Sequence, residues 1–211
     1  MLSTKRINLM IFIILILFVT ACAGQTGGNA GSSGSDAGNG SSTNLSGSAL
    51  EILGSLDEAL KQTGIEMPMT LPPLEVQSDM AQNDVGLSSA DFDRLVTSAA
   101  SSLAAIGTFA HQIVIIQAND ASAATQVKNL ISGSGGYDAQ KWICVWPDKV
   151  IVVESGAYVL LAAAKANVVD AAIEAFKNEA GTIGTVVTFF EHDGSLDAPI
   201  GGGEPIAVGG S

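Results

Sequence analysis

Lys149-Val150-Ile151-Val152-Val153-Glu154-Ser155-Gly156-Ala157-Tyr158-Val159-Leu160-Leu161 is the stretch that decides the fold class of this chain. Two β-branched and aliphatic runs flank a Glu-Ser-Gly-Ala turn, the pattern of a β-hairpin. Upstream, residues 109–118 carry Ile113-Val114-Ile115-Ile116, nearly continuous and β-branched, which reads as a buried strand. Asn119-Asp120 then turns the chain into a helix with Ala123, Val127, Leu130 and Ile131 on one face, and Gly133-Ser134-Gly135-Gly136 breaks it. Beyond the hairpin, Asn167 stands where a cap belongs, and Val169, Ala172, Ile173 and Phe176 recur at helical spacing. Residues 183–190 are apolar enough for one more strand.

Toward the N-terminus, Ser48-Ala49-Leu50-Glu51 has the form of a capping box. Ala49, Ile52, Leu53, Leu56 and Leu60 follow at helical spacing, Gly64 is placed to end the helix, and Pro68, Pro72 and Pro73 force an extended connection. Phe92, Leu95, Val96, Ala99, Leu103 and Ile106 fit a helical face over residues 88–107, capped by Ser88 with Asp91 three residues on. The resulting order is helices, then strand–helix–strand–strand–helix with a last strand. It predicts an α+β two-layer sandwich, a small mainly antiparallel sheet with helices on one face.

Composition narrows the function classes. The chain has 211 residues with 9 Lys and Arg against 21 Asp and Glu, a net charge of −12, which argues against a nucleic-acid partner. Two cysteines exclude a disulfide-stapled miniprotein and a cysteine-rich zinc module.

Residues 1–21 read as a secretory signal. Lys5 and Arg6 form a positive n-region, and the apolar run from Leu9 to Val19 is shorter than the ~20 residues of a membrane-spanning helix. It ends in Val19-Thr20-Ala21-Cys22, which resembles the lipobox of bacterial lipoproteins, with Val19 where Leu is usual. That resemblance implies diacylation (palmitate-type chains) of the Cys22 sulfur, cleavage before Cys22, and a lipid anchor on the extracytoplasmic face of the cell membrane. Two chains at ~0.8 kcal/mol per buried CH₂ make a stable anchor. Residues 22–48 hold the modified cysteine and a Gly/Ser-rich tether with a mean reach of roughly 25–30 Å. Loss of Lys5 and Arg6 takes the net charge from −12 to −14, so the acyl chains rather than headgroup attraction must hold the protein. Residues 49–191 form the expected domain, and residues 192–211 a Gly/Pro-rich disordered tail.

His111-Gln112-Ile113-Val114-Ile115-Ile116, the helix over 121–131, and the hairpin with its following helix together resemble a family of small Gram-positive lipoproteins that carries a domain of unknown function. The likeness covers about residues 87–180, the lipobox and the tether. It implies an extracytoplasmic, membrane-anchored lipoprotein of the cell envelope and brings no catalytic residues.

No His-Glu-x-x-His, Gly-x-Ser-x-Gly or P-loop pattern occurs, and neither a catalytic constellation nor a cofactor or metal is indicated. The two histidines are His111, either structural or a ligand contact, and His192, in a Glu191-His192-Asp193 run where the chain frays. Cys144, between Ile143 and Val145, reads as a buried apolar residue. Asp91-Phe92-Asp93 lacks the further oxygen donors of a calcium loop. Met67-Pro68-Met69 with Met80 has thioethers of the kind that favour Cu(I), and equally of the kind that fill gaps. The most suggestive set is Tyr137, Trp142 and Trp146, which serve as core lids when buried and as ligand or partner anchors when exposed. The leading expectation is a non-catalytic binding or interaction module that meets an envelope or membrane protein through the sheet face or these aromatics. Its rivals are a small ligand-binding accessory to solute uptake and, behind that, an envelope enzyme using carboxylates.

Overall fold

The computed structural model describes residues 43–142 and 145–192. The signal segment, Cys22, most of the tether, Cys144 and the tail beyond His192 lie outside the described residues. All the described residues belong to one compact unit. No helix among the described residues is long and apolar enough to cross a membrane.

Six strands make one antiparallel sheet in the order β1 (Leu74–Glu75), β2 (Val96–Leu103), β3 (Gln112–Ala118), β5 (Tyr158–Ala164), β4 (Lys149–Ser155) and β6 (Val187–Glu191). The β4–β5 hairpin closes on Gly156-Ala157, with Ser155 opposite Tyr158. Gly156 sits at φ +55°, a left-handed position that a two-residue hairpin turn requires. The fold class is therefore the expected α+β sandwich built on an antiparallel sheet.

Helices cover both faces of the sheet, however, which corrects the expectation of two layers with helices on one side. On one face, α1 (Ala49–Gln62) and α5 (Ala166–Ala180) pack Leu53, Leu56, Val169 and Phe176 against Ile113, Ile115, Ile151 and Leu160. On the other, α2 (Ala81–Val85), α3 (Ser89–Leu95) and α4 (Ala121–Ser132) pack Val85, Leu95, Val127 and Ile131 against Val114, Ile116, Val152 and Leu161. Because side chains alternate along a strand, two buried faces demand apolar residues at every position. That is why Ile113–Ile116 in β3, Val150–Val153 in β4 and all of β5 are apolar at successive positions, with helices packed on both faces of these strands.

The capping box forms as expected: the Ser48 side chain accepts from the Glu51 N–H, and the Glu51 carboxylate accepts from the Ser48 N–H at 2.8 Å. The Ser48 N–H and hydroxyl, both donating to it, hold the Glu51 carboxyl below its usual pKa. Residues ahead of the helix are tied in as well: the Asn44 N–H donates to the Ala180 carbonyl, and the Tyr158 hydroxyl to the Gly47 carbonyl.

Residues 88–107 do not form one helix. Ser88 caps α3 as read, but the helix ends at Leu95 and Val96 turns extended at φ −111°, ψ 130°. Val96 to Leu103 then pairs with β3 through a bulge at Thr97. Pairing along β3 outweighs the local helical spacing, and the Ala and Ser side chains of β2 let α1 lie close, with the Ala49 N–H donating to Ser98 Oγ. The N-cap of α5 is Lys165 rather than Asn167, and its side chain makes no cap bond.

Candidate functional site

Tyr137 is buried and Trp142 partly buried around a pinned glutamine. Gln112 is fully buried at the start of β3, and its amide uses every bonding position. Its Nε2 donates to the Asp84 carbonyl at 3.0 Å and Ser101 Oγ at 2.9 Å. Its Oε1 accepts from the Tyr137 hydroxyl at 2.8 Å and Lys141 Nζ at 2.7 Å. Lys141 Nζ also donates to the Asn83 carbonyl and lies 4.5 Å from the Tyr137 ring centroid and 5.3 Å from that of Trp142. Burial pulls Lys141 down to about 8, against the pull of Asp84 and Asp138, and burial pushes the Tyr137 hydroxyl well above its usual range. Trp142 stacks edge-on to Tyr137 at 6.4 Å and packs on the core. Of the three aromatics, Tyr137 is a buried core residue and Trp142, partly buried, packs against the same core.

Trp146 has a different setting. A cleft of about 240 Å³ opens at the end of the sheet where β3 and β4 begin and β5 ends. Four remote segments build it: Met67 and Pro68 from the α1–β1 connection, Phe109 and His111 from the β2–β3 connection, Trp146 and Asp148 ahead of β4, and Lys165 and Val168 at the start of α5. Trp146 is half-buried, held edge-on by Phe190 at 6.3 Å and His192 at 5.3 Å. A bulge in the β4–β6 pairing, between Val150 and Ile151, leaves Phe189 without a partner in register. The bulge sets Phe189 against Tyr137 and Phe190 against Trp146, so one short strand supports both aromatic groups.

His111 forms part of the cleft wall at 3 % exposure, and its Nδ1 is buried with no hydrogen-bond partner among the described residues. Leaving such an atom unpaired costs about 1–3 kcal/mol, so the position calls for an explanation. Burial lowers the imidazole to about 4, and the ring is neutral at pH 7. Glu66, on the rim, and Asp148 bring carboxylates to the cleft, and Lys165 brings an ammonium. Asp148 Oδ2 accepts from the Ala166 N–H at 3.3 Å, the bond at the N-terminus of α5. A more open hollow of about 350 Å³ adjoins at Asp148, with Glu191 and His192 in its wall.

Among the described residues, no group of three or more His, Cys, Asp or Glu is placed to hold a metal ion. Met67 lines the cleft while Met69 and Met80 are exposed, and Asp91 pairs with Arg94 at 2.7 Å. What the cleft offers is a neutral imidazole in its wall, the carboxylates of Glu66 and Asp148, the ammonium of Lys165, and apolar walls that include two aromatic rings. Sequence reading reached Trp146 and left His111 open, but missed Glu66, Phe109, Asp148 and Lys165. No local pattern marks those four, because the fold alone brings them together.

Compared with protein-family models, curated proteins and solved structures, the chain matches none of them.

Proposed function

We propose that this chain is a lipid-anchored, extracytoplasmic binding module of the cell envelope, and that the cleft around His111 and Trp146 is its binding site. The observation that carries this reading is the buried, unpartnered Nδ1 of His111 in the wall of a half-apolar cleft. Pockets that hold small molecules combine apolar and aromatic walls with a few placed polar groups. At about 240 Å³ the cleft is smaller than the ~300–1,000 Å³ of drug-sized pockets, so the ligand it suits is small. With an imidazole near 4, His111 is a poor proton acceptor at neutral pH, which favours binding over catalysis. The lipobox at Val19–Cys22 and the likeness to small Gram-positive lipoproteins support the location. An accessory role in solute uptake would use this same cleft.

A thermal-shift screen of small molecules tests the site. A ligand at 100 times its Kd stabilises by about 2.7 kcal/mol. Thr108→Trp, at an exposed position lining the cleft, is expected to abolish the shift without lowering the melting temperature of the free protein. A shift unchanged in that variant would place binding elsewhere. For the anchor, Cys22→Ala is expected to leave unprocessed precursor or release the protein from membranes; normal processing and retention would refute it.

A further inference from the structure

Resting on the cleft as binding site, we infer that its ligand is a small organic cation, an ammonium group carried on a ring or other apolar body. The sign of the lining argues first. Glu66 and Asp148 bring two carboxylates to the cleft against the single ammonium of Lys165, and the whole chain carries −12. A cation is drawn to that field and an anion repelled.

A helix N-terminus would ordinarily invite an anion. Here the start of α5 is already met by Asp148, whose Oδ2 takes the Ala166 N–H. His111 contributes a neutral ring and no positive charge to the wall. A ligand rich in N–H donors suits the Glu66 and Asp148 carboxylates, which can only accept, whereas a carboxylate or phosphate offers them nothing. Phe109 and Trp146 supply aromatic surface, and the face of an aromatic ring attracts a cation. Lys165 opposes the ligand and is exposed, so it can turn away from the cleft.

Three probes of one shape and different charge decide the matter: tyramine as the cation, 4-ethylphenol as the neutral form, and 4-hydroxyphenylacetate as the anion. Both hydrophobic clusters and the cleft lie within residues 43–192, so the chain from residue 23 onward carries the site. Each probe is titrated into that ¹⁵N-labelled chain, following the Trp146 indole N–H and the amides of Phe109 and His111. Tyramine is expected to move these signals saturably and to bind about tenfold more tightly than 4-ethylphenol, with the anion weaker still. Glu66→Gln is expected to weaken tyramine binding about threefold or more, and Lys165→Met to tighten it; both residues are exposed and leave the fold intact. Equal or tighter binding of the neutral or anionic probe at the same signals would overturn the cation and leave the cleft standing. Unmoved cleft signals with all three probes would overturn the cleft as well.

Discussion

Acid is the perturbation to which the cleft wall is most sensitive. His111 has an ordinary imidazole pKa of 6.5 when unfolded and about 4 when folded, because burial disfavours its charged form. Between those values the unfolded chain binds the extra proton, so stability falls as pH drops through the window and is fully present above it. The 2.5-unit difference between 6.5 and 4 corresponds to about 3 kcal/mol, of which about 2 kcal/mol is lost by pH 5. At roughly 3–4 °C per kcal/mol for a domain of this size, the midpoint is expected to fall by about 6–8 °C from this source between pH 7 and pH 5. Glu66, Asp148 and Lys165 are the charged side chains that share the cleft with it. Asp57 changes in the opposite sense, so His111 is isolated by comparison with His111→Gln, which removes the titrating ring. Urea unfolding at pH 7 and pH 5, on both proteins, measures the difference in slope. An equal loss of stability in both would refute the claim that His111 is held neutral by the fold.

Four further substitutions, at Gly86, Lys128, Glu154 and Asp57, test the packing of the domain. Gly86, at φ +75°, lies against the backbone of Gly136 and Tyr137; Gly86→Ala is expected to cost roughly 2–4 kcal/mol by urea unfolding and to shift the Trp142 indole signal. Lys128 pairs with Glu154 at 2.6 Å with both side chains largely buried, so Lys128→Met should cost about 3 kcal/mol, while Lys128→Met with Glu154→Leu recovers most of it. Burial raises the Asp57 carboxyl above 3.8, offset in part by the Ser102 hydroxyl, so its contribution is greatest below that pH and is lost as pH rises through the raised value. Asp57→Asn should therefore raise the melting temperature at pH 7 and leave a smaller difference at pH 4.

The strands were legible because their signal is physical and local. Uninterrupted apolar runs at 113–116, 150–153 and 158–161 admit only buried strands, and the Ser155-Gly156-Ala157 turn fixes the hairpin. The same runs already carried the second helical layer, since a strand with one open face would alternate. The N-terminal half of the sheet was hidden: Ala and Ser in β2 have weak preferences, and the apolar spacing of Phe92 to Leu103 imitates a helix. Only pairing with β3 decides that segment. Trp142 and Trp146 look alike in sequence, four positions apart. They part company because Lys141 and Tyr137 are pinned to Gln112, while Trp146 is carried to the mouth of the cleft beside Phe190. The residues that share the cleft with His111 come from segments as far apart as Glu66 and Lys165, and no spacing rule connects those.

Native mass spectrometry of the protein after equilibration with a small-molecule extract of the envelope tests the central claim most directly. Occupation of the cleft predicts a one-to-one adduct, displaced by tyramine and missing from Thr108→Trp. A bare mass in the wild-type chain, or the same adduct on both proteins, would contradict it.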